Sequence, residues 1–169
     1  MLTVISDTHG TDDHRLDGHT LDAVRDADHV VHAGDFITET VLDAVAAEAT
    51  ELTAVYGNND PPALRERLTD AATLTYDGVR LLVVHGHEHT ATALGLLARQ
   101  EGADVVVVGH SHRPEITDLD GRPLVNPGSY ADPRRYRPAH AELTVEGPNL
   151  RVRLRSPAGE TFEERTIQR

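Results

Sequence analysis

Leu2-Thr3-Val4-Ile5-Ser6-Asp7-Thr8-His9-Gly10 begins as a short apolar run and stops at a loop crowded with polar groups. The run has the length of a buried strand. The same figure recurs twice more. His29-Val30-Val31-His32 stops at Ala33-Gly34-Asp35, and Leu52-Thr53-Ala54-Val55-Tyr56 stops at Gly57-Asn58-Asn59-Asp60. Helical patterns lie between these runs. His19 to Asp26 puts Leu21 and Val24 on one face, and Thr38 to Glu48 groups Val41, Leu42 and Val45, with Thr38 in the N-cap position. Strand–helix–strand–helix–strand implies right-handed crossovers and a parallel sheet. Ligands of such sheets collect at the carboxyl ends of the strands, where all three polar loops lie.

The second half reads differently. Leu74 to Tyr76, Asp77-Gly78 and Val79 to Val84 predict a hairpin, because Asp-Gly is a favoured two-residue turn. Val84 runs into His85-Gly86-His87, followed by a helix from about Thr90 to Gln100. Val105 to Val108 is a fully apolar strand ending at Gly109-His110-Ser111-His112. Pro114 to Thr117, Asp120-Gly121 and Pro123 to Val125 form a second hairpin, and Asn126-Pro127-Gly128-Ser129 reads as a sharp loop. Ala139 to Val145 and Leu150 to Arg155 alternate as amphipathic strands. Two sheets packed face to face, with helices outside, would bury both sets of apolar strands.

The 169 residues fit one domain, 1–169, with a sizeable core. The absence of cysteine excludes disulfides, thiolate metal sites and a cysteine nucleophile. No amino-terminal basic and apolar segment is present, and no apolar run approaches the roughly 20 residues that span a bilayer. A soluble, cytoplasmic protein without membrane contact is therefore expected. The net charge is −12, and all 16 basic residues are arginine. Such a surface repels a nucleic-acid backbone, so general DNA or RNA binding is not expected. An acidic, lysine-free surface suits a halophilic setting, where salt screens self-repulsion, although GC-rich coding also favours arginine.

Each polar loop alone is ordinary turn chemistry. Their common placement is what matters, since five islands follow five expected strands and each offers a carboxylate, amide oxygen or imidazole. That donor set suits Mn²⁺, Fe²⁺, Co²⁺, Ni²⁺ or Zn²⁺. Seven such side chains, Asp7, His9, Asp35, Asn58, His85, His110 and His112, exceed the needs of one ion with open positions. They fit two, with Asp35 placed to bridge and a hydroxide opposite it. Two divalent ions would also attract a phosphate that the acidic surface repels.

Asp7-Thr8-His9, Gly34-Asp35, Gly57-Asn58-Asn59-Asp60, His85-Gly86-His87 and Gly109-His110-Ser111-His112 resemble, in order, the motifs of the calcineurin-like metallophosphoesterases. The likeness is closest to their small single-domain phosphodiesterase subfamily of bacteria and archaea. His32-Ala33-Gly34-Asp35 and Asn126-Pro127-Gly128-Ser129 are typical of that subfamily, and the match runs from Leu2 to about Pro133. The resemblance implies an α/β fold, a four-layer α-β-β-α sandwich of two mixed sheets. It implies two divalent transition-metal ions, manganese first among them. Asp7, His9, Asp35 and His112 would hold one, and Asp35, Asn58, His85 and His110 the other. His85 is chosen over His87, which also flanks Gly86, because it ends the apolar strand. The implied activity is hydrolysis of a small phosphodiester, with Asp35 and Asn59 catalytic and Asn59 also binding substrate. Many members of the wider family have histidine where this chain has Asn59. Asparagine can hydrogen-bond a phosphoryl oxygen but cannot act as an acid near neutral pH, which biases the expectation toward diesters. A phosphomonoesterase acting on nucleotide or phosphoprotein is the alternative enzyme. A non-catalytic scaffold is the alternative class, because a retromer subunit of similar fold has an eroded metal site. Small members of such families often pair, so a homodimer is compatible with the reading.

Other residues are weighed against simpler roles. His32 and His87 are expected behind or beside the metal ligands. His14, His19, His29, His89 and His140 have no partner at ligand spacing and read as surface or hydrogen-bonded histidines. Asp60 reads as a stabiliser of its loop or of the first turn of a helix starting at Pro61-Pro62. Arg134, Arg135 and Arg137 form the clearest basic cluster and read as a solvated surface or an oligomer contact in preference to phosphate capture, with Arg134 after Pro133 the one to mutate.

Overall fold

The computed structural model describes residues 1–168. Three strand–helix steps come first: β1 (Leu2–Ile5), α1 (Gly18–Arg25), β2 (His29–His32), α2 (Glu39–Glu48), β3 (Leu52–Ala54) and α3 (Pro62–Arg67). The chain continues through β4 (Ala71–Tyr76), β5 (Val79–Val84), α4 (Ala91–Gln100), β6 (Val105–Val107), β7 (Pro114–Leu119) and β8 (Arg122–Pro127). It ends with β9 (His140–Glu146), β10 (Asn149–Arg155) and β11 (Thr161–Gln168).

The strands form two mixed sheets, ordered β11-β10-β9-β1-β2-β3 and β4-β5-β6-β8-β7. β1, β2 and β3 pair in parallel, as the strand–helix alternation requires. β5, β6 and β8 are parallel as well, while the hairpins β4–β5 and β7–β8 close the second sheet antiparallel. Asp77-Gly78 and Asp120-Gly121 all take positive φ, as the expected hairpin turns need.

Alternation along the strands builds the layers. Leu2 and Val4 of β1 meet Val83 of β5, Val107 of β6 and Val125 of β8 in the core between the sheets. Ile5 points the other way, into a cluster with Val24 of α1, Val41 and Val45 of α2 and Leu64 of α3. On the far side, Leu82, Val84 and Val106 pack against Leu94 and Ala98 of α4. This is the four-layer α-β-β-α sandwich. Of the strands that carry the polar loops, β1, β2, β5 and β6 are buried on both faces, which is why they read as continuous apolar runs, whereas β3 at the sheet edge is half-buried. Thr38 and Thr90 cap α2 and α4, each accepting a backbone N–H with its hydroxyl.

Two differences from the sequence reading have physical causes. Asn126 and Pro127 lie within β8, paired with Glu115 and Pro114, and the chain turns only at Gly128, where φ is 72°. β11 was not expected. It is an edge strand joined only to β10, and its centre, Glu163-Glu164-Arg165, is charged and largely exposed, so it lacks the apolar alternation that marks a strand. None of the helices among the described residues is long and apolar enough to cross a membrane.

Candidate metal centre

Five loops at the carboxyl ends of β1, β2, β3, β5 and β6 converge on one place. The first two are laced together by their backbones: Ala33 N donates to Ile5 O, Asp7 N to Gly34 O, and His9 N to Asp35 O. The converging loops take an unusual conformation. Asp7, His9, Asp35, His110 and His112 all have positive φ, between 46° and 67°. Non-glycine residues rarely adopt this region, and it costs each about 1–2 kcal/mol. Such strain gathers where a fold must aim side chains at a common point.

The seven side chains singled out from the sequence form two overlapping groups. In one, His112 Nε2 lies 3.3 Å from Asp7 Oδ1, His9 Nε2 lies 3.9 Å from the same oxygen, and His9 Nε2 is 3.3 Å from Asp35 Oδ2. In the other, His85 Nε2 is 3.4 Å from Asp35 Oδ2 and 3.1 Å from Asn58 Oδ1, and His110 Nδ1 is 2.9 Å from that amide oxygen. Asp35 Oδ2 therefore faces imidazoles of both groups. Asp7, Asp35, His85 and His112 are buried, whereas Asn58, Asn59 and His110 are exposed, so the cluster is walled on one side and open on the other.

The hydrogen bonds behind the imidazoles fix which nitrogen faces the cluster. His85 donates its Nδ1–H to Ala33 O at 2.7 Å, and His112 donates its Nδ1–H to Asp132 O at 2.5 Å. In each neutral ring the Nε2 lone pair is left pointing at carboxylate or amide oxygens. Asp7 Oδ1, His9 Nε2 and His112 Nε2 are buried atoms without any hydrogen-bond partner. Orphaned lone pairs in a buried spot are costly unless a cation joins them. The donor set of carboxylate, imidazole and amide oxygen suits a divalent metal, and the backing hydrogen bonds are those that orient metal-binding histidines.

Electrostatics agree. Burial opposes a charge on His9, yet the Asp35 and Asp7 carboxylates overrule it and lift its pKa to about 9. His85 is also raised: burial works against its charge, but Asp35 and Asp7 prevail. Burial works against ionised Asp35 too, and the His85 and His9 contacts outweigh it, holding this carboxyl well below its ordinary range. In the absence of a metal, the carboxylates draw protons onto neighbouring imidazoles. The site is built for positive charge.

His87 and His32 stand apart from the seven. The His87 ring lies 5.4 Å from that of His85 and 6.2 Å from that of His110, and its Nε2 is 3.4 Å from Glu88. His32 is fully buried and stacked on Phe36 with ring centroids 3.6 Å apart. Its Nδ1 accepts from Gly34 N, so its Nε2–H donates to Thr8 Oγ1, which in turn meets Tyr130 Oη at 2.9 Å. Burial, reinforced by the neighbouring His85, depresses its pKa to about 3, and it stays neutral as a brace for both loops. Asn59 is turned inward: its backbone N–H donates to Asp35 Oδ1, and its side-chain amide donates to Asp35 Oδ2 at 2.6 Å.

Two supports escaped sequence reasoning in whole or part. Asp132 receives the His112 proton on its carbonyl and holds its carboxylate 4.0 Å from His9 Nδ1, with Arg134 Nε 3.9 Å beyond. Nothing in its loop marks it as a partner of histidines so distant in the chain. Asp60 does stabilise its own loop, accepting from Gly57 N, but it also accepts from Asp35 N and Ile37 N across the sheet. Arg135 and Arg137 lie over the rings of Tyr136 and Phe162.

The calcineurin-like phosphoesterase superfamily domain matches residues 1–147. The chain is 34% identical over 168 residues to the Bacillus subtilis protein named "Probable metallophosphoesterase YsnB", covering 96% of this chain and 95% of that protein. It is 27% identical over 110 residues to a phosphodiesterase of Methanocaldococcus jannaschii, covering 59% of this chain and 65% of that one. Among solved structures, Vps29 of Entamoeba histolytica complexed with zinc superposes with a TM-score of 0.76 at 21% identity, covering 99% and 98% of the two chains. The Vps29 likeness is one of fold. The family match and the YsnB likeness over nearly the full chain carry the assignment: this chain belongs to the calcineurin-like phosphoesterase superfamily.

Proposed function

We propose that the chain is a phosphodiesterase using two divalent transition-metal ions, manganese foremost. Asp7, His9, Asp35 and His112 would hold one ion; Asp35, Asn58, His85 and His110 would hold the other. The observation that carries this reading is the convergence of buried lone pairs, with Asp7 Oδ1, His9 Nε2 and His112 Nε2 lacking any other partner. When bound, such a pair of ions neutralises a phosphoryl group and lowers the pKa of water.

The protein's own groups then divide the work. Ala33 O and Asp132 O hold His85 and His112 as Nδ1–H tautomers, keeping Nε2 free for an ion. The Asn59 amide orients Asp35 and, lacking an acidic proton, gives a departing alkoxide no general acid. This favours diesters with stabilised leaving groups over monoesters of ordinary alcohols. The exposed side, bounded by Asn58, Asn59 and His110, is where a small phosphate ester would approach. The likeness to a phosphodiesterase of M. jannaschii supports the same preference.

Metal-replete protein should cleave bis-p-nitrophenyl phosphate faster than p-nitrophenyl phosphate, and Asp35→Ala should abolish both activities. The reverse substrate order would favour a monoesterase. Metal-loaded protein without turnover of either ester would favour a scaffold.

A further inference from the structure

A second convergence of ligating side chains lies beneath α1, on the face of the first sheet that looks away from the other sheet. His140 and Glu142 are alternate residues of β9 and so share one face, while Ala141 and Leu143 between and beyond them enter the inter-sheet core. His19, in the first turn of α1, reaches down to meet them. His19 Nε2 lies 2.8 Å from Glu142 Oε1, and His140 Nε2 lies 3.4 Å from the same oxygen. The three ligand atoms all fall within 4.8 Å of one another.

The surroundings hold each of the three in place. His140 is 0% and Glu142 2% exposed, and the His19 side chain is 30% exposed, so the cluster is buried with a single solvent-facing member. His140 Nδ1 meets Thr20 Oγ1 at 3.0 Å; with its proton on that hydroxyl, Nε2 is free to coordinate. The His19 ring packs on Gly159, where an added Cβ would sit 3.6 Å from the ring. Arg155 backs the carboxylate through one nitrogen, 3.2 and 3.1 Å from its two oxygens, and spends the other on Gly159 O at 2.8 Å. Glu142 Oε1 thus faces His19, His140 and Arg155, while Oε2 has Arg155 alone.

We propose that His19, His140 and Glu142 Oε1 form a divalent metal site that clasps α1 to β9, separate from the centre at the strand ends. Two imidazoles and a carboxylate without thiolate select the Zn²⁺, Ni²⁺, Co²⁺ class. Tetrahedral zinc with bonds near 2.0–2.1 Å sets its ligands about 3.3 Å apart, so the observed 2.8 and 3.4 Å separations need shifts of a few tenths of an ångström. His19, the one partly exposed member, marks the side from which solvent would reach the ion. Arg155 would remain on Oε2 as the carboxylate's supporting hydrogen-bond donor, its charge weakening the hold on the ion.

The test is Zn²⁺ content after equilibrium dialysis, in wild type, in His19→Ala, and in both again with Asp7→Asn and Asp35→Asn added. His19 is partly exposed on a helix, so its loss leaves the fold intact, which circular dichroism in chelator checks. Wild type should retain one equivalent of zinc more than His19→Ala. That His19-dependent equivalent should survive in the Asp7→Asn/Asp35→Asn chain, whatever happens at the strand-end centre. With Co²⁺, the same difference should show as a visible absorption band that His19→Ala lacks. Equal zinc content and equal cobalt spectra with and without His19 would overturn the proposal and leave the cluster a buried ion-pair network.

Discussion

Replacing Asp60 by asparagine exchanges one carboxylate oxygen for an NH₂ group and tests how the strand-end centre is held. Asp60 Oδ2 accepts from Asp35 N at 3.0 Å and Gly57 N at 2.8 Å, and Oδ1 accepts from Ile37 N at 2.8 Å. Asparagine has a single oxygen acceptor. Placed on the Oδ2 side it keeps two of the three bonds and turns an NH₂ group toward Ile37 N–H. Losing a bond to a charged acceptor, together with leaving one donor unsatisfied, costs ~2–4 kcal/mol. Part of this returns, because burial raises the Asp60 pKa, with Asp35 adding to the shift, and a neutral residue escapes that penalty. A net loss of ~1–3 kcal/mol is expected. The functional loss should be larger than the stability loss suggests. Ile37 sits at φ 86° and Asp35 at φ 64°, and the Asp60 bonds hold both there. Released, the loop relaxes and Asp35 leaves its place between His9 and His85. A tenfold to hundredfold fall in metal affinity is expected, of the size seen when outer partners of metal ligands are removed. Urea denaturation in chelator gives the first quantity and metal titration the second. An Asp60→Asn chain with wild-type midpoint and wild-type metal affinity would refute the reasoning.

Gly34→Ala should be worse, because φ there is +97° and the new Cβ would lie 2.8 Å from His85 Nδ1 and 2.9 Å from Gly57 N. A loss of ~3 kcal/mol in urea denaturation is expected. His85→Ala should lower kcat/KM for bis-p-nitrophenyl phosphate at least a hundredfold, and His87→Ala less than tenfold; equal losses would mean that His85 has been wrongly preferred. Glu142 gives an acid limb to stability. Burial alone would raise its pKa, but His140, His19 and Arg155 outweigh burial and bring it to about 2 from an ordinary 4.5. A depressed folded-state pKa contributes stability that is complete above pH 4.5 and fades as pH falls toward about 2. The contribution is at most ~3 kcal/mol. Glu142→Gln should flatten that limb in chelator-treated protein, and an unchanged acid profile would contradict it.

The legible part of this fold is the part in which neighbours in sequence do the work. β1, β2, β5 and β6 are buried on both faces and stop at polar loops, so runs such as Val4-Ile5 before Ser6-Asp7 mark both the strand and the place where ligands meet. The seven side chains brought together there were all legible, since they lie in the five loops that follow β1, β2, β3, β5 and β6. Partners from distant segments were not. Asp132 serves histidines that come 20 and 123 residues earlier in number, and no pattern in Ala131-Asp132-Pro133 points to them. His19 and His140 were set aside for want of a partner at ligand spacing, yet Glu142 lies between them once α1 packs on β9, 123 residues along the chain from His19. β11 escaped for a different reason: an edge strand owes its place to the ladder with β10, as in Arg153–Glu164, and not to a buried face.

What the sequence least betrays is conformation. Aspartate reaches the left-handed region at modest cost, but His9, His110 and His112 gain nothing local from it. At about 1–2 kcal/mol each, the five strained residues of the centre together cost a large share of a typical domain's net stability. They persist because the loops are tied at several points to apolar strands that cannot shift: Asp7 N to Gly34 O, His9 N to Asp35 O, Asp35 N to Asp60, and Ser129 Oγ to Asp7 O. Relaxing Asp7, His9 or Asp35 would break a bond of this set and bury an unpaired group, and relaxing His110 would break the bond from its backbone N–H to Asp7 Oδ2. The same ties hold Asp7 Oδ1, His9 Nε2 and His112 Nε2 facing one another without hydrogen bonds, an arrangement that calls for positive charge, from a proton on His9 or from a cation. Folding energy from the core is therefore stored in the geometry of this cluster, and a metal bound there as proposed would recover part of it. It follows that substitutions that relax this backbone, such as glycine at Ile37, should weaken metal binding even where they raise the stability of the metal-free chain.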